Sequence, residues 1–300
     1  MSFIRERRSG RFCDSQDSFQ KLPSDGYSHT FIYKYVKELV SCNFSKIREL
    51  LQDELNRNFL YREKWNIAET NYAEKKNLFP SSLPEECYIA LIAYTLDRLC
   101  DKNDKSRNEK TALYEDFNWK CRQLRSVDDW KTFPYKSLYA LLARSIHDIH
   151  NNPRINQSVY YRGMSFTPYK PSFKAGDIIY PTQFLSCSIH KPVAESFLCG
   201  PEPTLIKFKG SPLAACGILE YSVFPKEAEI LVFPWSTFKI EKMKRSSSRN
   251  KIILESVGIF DGDLPYSGQY SNKGININNF VTGEFRIFSL TEFSSVSFYS

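Results

Sequence analysis

The feature that most constrains this chain is a change of hydrophobic period at its midpoint, around Asn151, Asn152 and Pro153. Before that point apolar residues recur every three or four positions, as on helices buried along one stripe. After it they alternate, as on strands buried on one face. Ile32, Tyr35, Val36, Leu39 and Val40, then Ile47, Leu50, Leu51 and Leu55, predict the first helices, with a break at 41–45. Pro84 and Glu85 open a helix over 86–99 that aligns Tyr88, Leu91, Ile92 and Thr95. A charged segment, 101–110, precedes a helix over 111–124, and a further helix over 135–149 aligns Leu138, Leu141, Leu142 and Ile146. Beyond Pro153 the spacing predicts strands at 158–164, 177–188, 204–209, 218–224, 229–233, 237–242 and 251–257, with one short helix at 192–198. A block of helices followed by a block of strands specifies an α+β protein rather than a doubly wound sheet. Residues 1–28, basic and punctuated by Ser, Gly and Pro, read as a mobile arm. Residues 29–152 and 153–260 read as the helical and β parts of one unit. Residues 261–300 form a C-terminal extension with a further strand at 284–290.

Composition removes several classes. With 42% apolar and 15% aromatic residues the chain can bury a sizeable core. No stretch approaches the roughly 18–20 apolar residues of a membrane span, since the run 88–96 meets Asp97 and Arg98. Arg5, Arg7, Arg8 and Arg11 are followed by no apolar segment, and the last residues form no apolar tail, so neither a secretion signal nor a lipid-anchor signal is readable and a cytoplasmic setting is favoured. Eight cysteines without a C-x-x-C pair predict reduced thiols, no disulfide and no zinc site. His147 and His150 lie three apart, but no third ligand is in reach along the chain, so they read as exposed residues at a helix C-terminus and no metal is expected. No G-x-G-x-x-G or Walker pattern is present. A net charge of +7 spread over 300 residues falls short of a nucleic-acid footprint. The basic segment Lys239, Lys242, Lys244, Arg245, Arg249 and Lys251, with Glu241 its only acid, is a solvated hairpin loop or a contact for an acidic protein, an anionic membrane or nucleic acid.

Three strands carry polar groups that a core would not require. In Ser158-Val-Tyr-Tyr-Arg-Gly-Met164 alternation sets Tyr160 and Arg162 on one side, and Gly163 would let a ligand approach the backbone. Arg162 there suits a phosphate or a carboxylate, or a structural salt bridge. Gln183-Phe-Leu-Ser-Cys-Ser188 sets Ser186 and Ser188 on one face; with no acid or histidine spaced for a triad, they read as hydrogen-bond orienters. Glu227 and Glu229 stand two apart at the entry to an apolar strand, where two carboxylates on one face repel unless a cation intervenes or a proton is shared. The alternative is a solvated turn with surface glutamates.

Together these segments resemble the arginine, serine and glutamate signature of the arginine-specific mono-ADP-ribosyltransferases of the vertebrate ecto-enzyme type. Tyr161-Arg-Gly163 is similar to the first motif of that family, Phe184-x-Ser186-x-Ser188 to its Ser-x-Ser motif and Glu227-x-Glu229 to its paired-glutamate motif. Leu91-Ile-Ala-Tyr-Thr95, Leu113-Tyr-Glu-Asp-Phe-Asn118, Tyr135-Lys-Ser-Leu138 and Ser222-Val-Phe-Pro225 resemble its helical and pre-catalytic segments in the same order, so the likeness covers roughly residues 85–257.

The resemblance implies a helical subdomain followed by a mixed or antiparallel β-sandwich, with NAD as co-substrate in the cleft between them and no metal. It implies that Arg162 holds the diphosphate, the Gly163 backbone receives the nicotinamide amide, and Glu229, oriented by Ser186, faces the charge that develops on the ribose. Glu227 would bind and deprotonate an acceptor arginine on a protein, a group whose pKa lies above about 12. Gln183 and Tyr94 match family positions near the NAD. Cys187 replaces the usual Thr or Ser of the Ser-x-Ser motif, with its side chain expected to point away from the cleft. The secretion signal, the anchor and the bracing cysteines of the secreted members find no match, and the extension beyond residue 260 has no counterpart. Two other readings keep the same site: an NAD glycohydrolase that uses water, and a non-catalytic relative that binds NAD or a partner.

Overall fold

The computed structural model describes residues 19–21, 30–79, 83–96, 112–150, 159–165, 173–198, 200, 202–210 and 215–259. Among the described residues, seven α-helices follow a short first strand: α1 (Thr30–Ser41), α2 (Phe44–Arg57), α3 (Phe59–Lys75), α4 (Glu85–Thr95), α5 (Leu113–Gln123), α6 (Val127–Thr132) and α7 (Lys136–His150). Their starts are set locally. The side chain of Asn43 accepts from Ser45 N to cap α2, Asn58 accepts from Tyr61 N in α3, and Ser126 accepts from Asp129 N in α6. The first N–H groups of α7 are capped from another helix: the Glu54 carboxylate accepts from Lys136 N at 2.8 Å, Ser137 N at 3.0 Å and Ser137 Oγ at 2.6 Å. The sequence pattern did not predict α3 or α6. The buried stripe of α3 is Tyr61, Lys64, Trp65, Ala68 and Tyr72, a helical spacing carried by aromatics, an alanine and a lysine rather than by aliphatic residues.

The strands are β1 (Phe19–Lys21), β2 (Val159–Ser165), β3 (Ile178–Pro181), β4 (Leu185–Ser188), β5 (Pro203–Lys209), β6 (Ala215–Gly217), β7 (Glu229–Val232), β8 (Ser236–Lys244) and β9 (Asn250–Ile259), with α8 (Lys191–Ser196) after β4. They form one mixed sheet in the order β1-β3-β8-β9-β5-β2-β4-β7-β6, with β5 and β9 its parallel pair. Residues from both halves of the sheet, among them Tyr160, Cys187, Phe208, Ile230, Phe238 and Leu254, share one apolar cluster, so the expected sandwich is a single sheet curled onto itself.

Three expectations are corrected. The predicted strand 177–188 is two strands, because the chain passes at 182–184 from β3, paired with β1 and β8, to β4, paired with β7. The predicted strand 218–224 is a turn, closed by Tyr221 N and Ser222 N donating to Ile218 O. Residues 19–21 of the arm read as mobile form an edge strand, because Phe19 is buried in the β cluster and Lys21 pairs with Asp177 at 2.9 Å. The rest of that arm, the segment 101–110, the extension 261–300 with its strand at 284–290, the side chains of His147 and His150, and Cys13, Cys100 and Cys199 lie outside the described residues. Among the described residues, Cys42, Cys87, Cys121, Cys187 and Cys216 are free thiols, and no helix is long and apolar enough to cross a membrane.

Helices and sheet meet through aromatic rings. Phe184 lies 5.1 to 6.3 Å from the ring centroids of Tyr94, Phe117, Tyr139 and Phe233, and Trp235 Nε1 donates to the Tyr139 hydroxyl at 3.1 Å. This contact fixes how the helical part faces β4 and β7.

Candidate active site

Strand alternation divides β4 and β7 into two faces. Leu185, Cys187, Ile230 and Val232 point into the curled sheet, while Phe184, Leu231 and Phe233 pack against the helices. The helix-facing side stops being apolar at one end, where Ser186, Ser188 and Glu229 replace hydrocarbon. Leu185↔Val232, Ser186↔Leu231 and Ser188↔Glu229 are cross-strand pairs, so these polar groups share a single ladder.

Glu229 is 2% exposed. Its Oε1 accepts from Ser186 Oγ, and its Oε2 accepts from Ser222 Oγ at 3.5 Å. Ser222 is held in turn by Phe224 N, which donates to its oxygen at 3.1 Å, and the neighbouring Val223 N donates to Thr95 Oγ1 at the end of α4. Among the described residues Glu229 forms no ion pair, so a carboxylate with room for about four hydrogen bonds is met by two hydroxyls. Ser222 was quoted in the family likeness but not expected at the site. The strand pattern read across 218–224 hid the turn that delivers it.

The two glutamates do not share a strand face. Pro225–Glu227 is one turn of 3-10 helix, and Ala228 follows in the left-handed region with φ 45° and ψ 55°, so only Glu229 enters β7. A left-handed alanine costs roughly 1–2 kcal/mol, and main-chain bonds hold it: Ile189 N donates to Ala228 O, and Ser188 Oγ donates to Glu227 O at 2.7 Å. His190 N donates to Ser188 Oγ at 3.0 Å. The paired serines therefore divide their work, Ser186 holding the Glu229 side chain and Ser188 the backbone that carries Glu227. Glu227 itself is half-buried.

Beside this ladder the sheet splits. β2 and β4 are joined by the single pair Tyr161↔Ser188, whereas β2 pairs with β5 over its whole length. Where the β2–β4 ladder would continue, Arg162 Nη1 donates to the Ser186 carbonyl, so a guanidinium stands in for a main-chain donor. Arg162 is 1% exposed, on the same side of β2 as Tyr160 and Met164, as alternation predicted. The arginine and Glu229 both act on Cys187, but burial dominates and pushes that thiol up to about 12, which keeps it protonated and inert. Cys187 faces the sheet interior, as expected of the middle residue of the motif. Packing alone also requires Gly163: a Cβ there would lie 1.9 Å from Ala194 O, so the glycine lets α8 approach β2.

Tyr94 and Gln183 are 2% and 0% exposed. Arg122 Nη1 donates to Gln183 Oε1, Asn118 Nδ2 donates to the Tyr94 hydroxyl at 3.0 Å, and that hydroxyl donates to Phe184 O at 3.4 Å. These bonds tie α4 and α5 to the approach of β4. Sequence reasoning missed Arg122, although its near neighbours 113–118 carried part of the likeness.

A family model described as NAD:arginine ADP-ribosyltransferase matches residues 25–259. The human ecto-ADP-ribosyltransferase 5 is 26% identical over 218 residues, 70% of this chain and 69% of the relative. The erythroblast NAD(P)(+)--arginine ADP-ribosyltransferase of Gallus gallus is 27% identical over 213 residues, 68% of this chain and 64% of the relative. The matched segment spans 62–64% of the mouse, rat and bovine ecto-ADP-ribosyltransferase 5 proteins. Among solved structures, two mutants of the eukaryotic mono-ADP-ribosyltransferase ART2.2, one in complex with NADH and one with NAD, each superpose with a TM-score of 0.54 over 81% of this chain and 92% of theirs, at 22% and 21% identity. The family match runs through the helices, the curled sheet and the serine–glutamate ladder alike, and the chain belongs to the NAD:arginine ADP-ribosyltransferase family.

Proposed function

We propose that this chain transfers ADP-ribose from NAD to an arginine side chain of a protein acceptor, with release of nicotinamide. The observation that carries the reading is Glu229: a buried carboxylate, oriented by two hydroxyls and balanced by no ion-pair partner among the described residues, at the point where β2 and β4 part. Leaving such a charge uncompensated costs stability unless a ligand supplies the complement.

The donor set suits NAD. Arg162 brings a permanent positive charge suited to a diphosphate, and the Gly163 backbone lies on the parting strand, where a carboxamide can be received. NAD supplies a glycosidic bond whose cleavage develops positive charge on the ribose. Glu229 stabilises that charge, and Ser186 and Ser222 keep its carboxylate from turning away. Glu227, on the turn pinned by Ser188, receives the acceptor guanidinium and takes its proton. Tyr94 holds the Phe184 carbonyl that leads into β4, and Gln183 stands beside it, held by Arg122, on the side expected for NAD.

The test is nicotinamide release from NAD by the purified chain, with and without agmatine as a small guanidino acceptor. Acceptor-dependent turnover that Glu229→Gln abolishes supports the transferase. Turnover indifferent to agmatine would make the chain a glycohydrolase, and NAD binding without turnover would make it a binding protein.

A further inference from the structure

The sheet carries the face of Glu229 well beyond the site. Following the cross-strand pairs, Glu229 stands opposite Ser188, Ser188 opposite Tyr161, Tyr161 opposite Lys207, Lys207 opposite Ile253 and Ile253 opposite Lys242. Paired residues lie on the same side of a sheet, so one row runs from the glutamate to a lysine across six strands. The helices cover this face over β4 and β7. At β2 helix α8 crosses it, with Ala194 O against Gly163 and Leu205 of β5 buried beside it, whereas at the Lys207 end of β5 and over β9 and β8 it is open to solvent, and it is basic.

Lys239, Lys242 and Lys244 on β8 and Lys251 on β9 are exposed, and Lys207 on β5 is half-buried. Acids are few: Glu241 is taken by Lys209 at 2.7 Å, and Glu255 stands opposite Lys239. Lys207, Lys242, Lys244 and Lys251 have no ion-pair partner among the described residues. Lys244 and Lys251 are a direct cross-strand pair, an arrangement of like charges that weakens a hairpin. Lys239, Lys242 and Lys251 thus lie in strands as expected, Lys244 lies in a strand that runs further than expected, and all four are aligned on one face.

We propose that this lysine face docks an acidic stretch of the acceptor protein, so that the target arginine reaches Glu227 while acidic residues beside it in sequence lie over Lys207, Lys242, Lys244 and Lys251. The inference rests on the transferase reading and adds the chemistry of its substrate. With about 4.8 Å between strands, Lys207 lies roughly 14 Å and Lys242 roughly 24 Å along the sheet from Glu229. At about 3.4 Å per extended residue the acidic positions fall about four to seven residues from the modified arginine.

The experiment compares agmatine with two synthetic peptides, each bearing one arginine: one with Asp and Glu at those positions, the other with Ser and Gln. The unaltered chain and a Lys242→Glu/Lys244→Glu/Lys251→Glu variant are assayed, with Lys→Gln replacements at the same sites as a milder set. For the unaltered protein, kcat/KM on the acidic peptide should exceed that on the neutral one by roughly tenfold. The preference should vanish in the variant and at roughly 1 M salt, where the screening length falls to about 3 Å. Agmatine turnover should stay within about twofold in the variant, which also reports that it is folded and competent. Equal use of the two peptides, or a preference that survives the charge reversal, would overturn the docking role. So would lysine-dependent binding to phosphatidylserine vesicles without any peptide preference, since the face would then be a membrane contact. If no acceptor is modified at all, the transferase reading has failed, and docking is decided by fluorescence anisotropy of the labelled acidic peptide: weaker binding to the variant supports it, equal binding overturns it.

Discussion

Two buried glutamates, one in each half of the molecule, are each held by a serine hydroxyl, and they serve opposite ends. Glu54 in α2 accepts from Lys136 N, Ser137 N and Ser137 Oγ, so its carboxylate completes the N-terminus of α7. Glu229 in β7 accepts from Ser186 and, at 3.5 Å, from Ser222. Burial is similar, 6% and 2% exposed. What differs is the kind of partner. Backbone N–H groups at a helix end are obligatory donors that stabilise the fold when capped, whereas two hydroxyls aim a carboxylate while leaving its remaining lone pairs for a ligand. On the proposed reading of Glu229 the contrast separates structural from functional charge more sharply than burial does.

Glu229→Gln should widen that contrast most. The amide keeps the size of the side chain but not its charge, so nicotinamide release should fall roughly a thousandfold. Thermal unfolding should move by no more than about 4 °C, the equivalent of about 1 kcal/mol for a chain of this class. A large loss of stability with activity retained would reverse the assignment.

Glu227→Gln comes next and divides the two steps at one site. Transfer to agmatine should drop roughly a hundredfold, while NAD hydrolysis stays within about threefold, because only the acceptor needs a base. Measuring both products, ADP-ribosylagmatine and free ADP-ribose, reads the split. Equal loss of both would place Glu227 on the NAD side of the reaction.

Ser188→Ala should show a weaker form of the same split. Losing the hydroxyl frees the Glu227 carbonyl and loosens the left-handed turn at Ala228, so KM for agmatine should rise and transfer fall about tenfold. Nicotinamide release without acceptor should stay near normal, and Ser188→Thr should restore transfer. Ser186→Ala, which removes the bond to Glu229, should lower both reactions together.

How much of this was readable in the sequence follows from range. The division at 151–153 was legible because helix and strand impose periods of 3.6 and 2 on neighbouring residues. The same local rule placed Arg162 beside Tyr160, and Ser186 and Ser188 on one face with Cys187 turned inward. Features set by distant partners were not legible. Nothing near Tyr161 signals that β2 and β4 join at one pair, and no glycine marks Ala228 as left-handed, so Glu227 and Glu229 looked like neighbours on a strand. Gly163 was recognisably special, but the carbonyl that excludes its Cβ belongs to Ala194, more than thirty residues on. Arg122 gave no local cue, because its partner Gln183 lies across the helix–sheet contact.

The smallest effect bears on Glu54, and its sign is the useful part. Burial raises this carboxyl above the ordinary carboxylate range, against the opposing pull of its hydrogen bonds from Ser137 and Lys136. A carboxyl with a raised folded value binds its proton more tightly folded than unfolded. Its favourable contribution is therefore complete below the unfolded value, near 4.3, and is lost as pH rises through the folded one. Glu54→Gln has no proton to exchange and offers a single acceptor oxygen to the helix end, so at pH 7 it should be less stable than the parent by about 1 kcal/mol. That gap should widen as pH is lowered from 7 towards 4 and then level off, since titrations common to both proteins cancel in the difference. Urea unfolding of the pair across that range is the measurement. A gap that narrows on acidification would mean that the cap lowers the carboxyl instead, so that the helix N-terminus outweighs burial at Glu54.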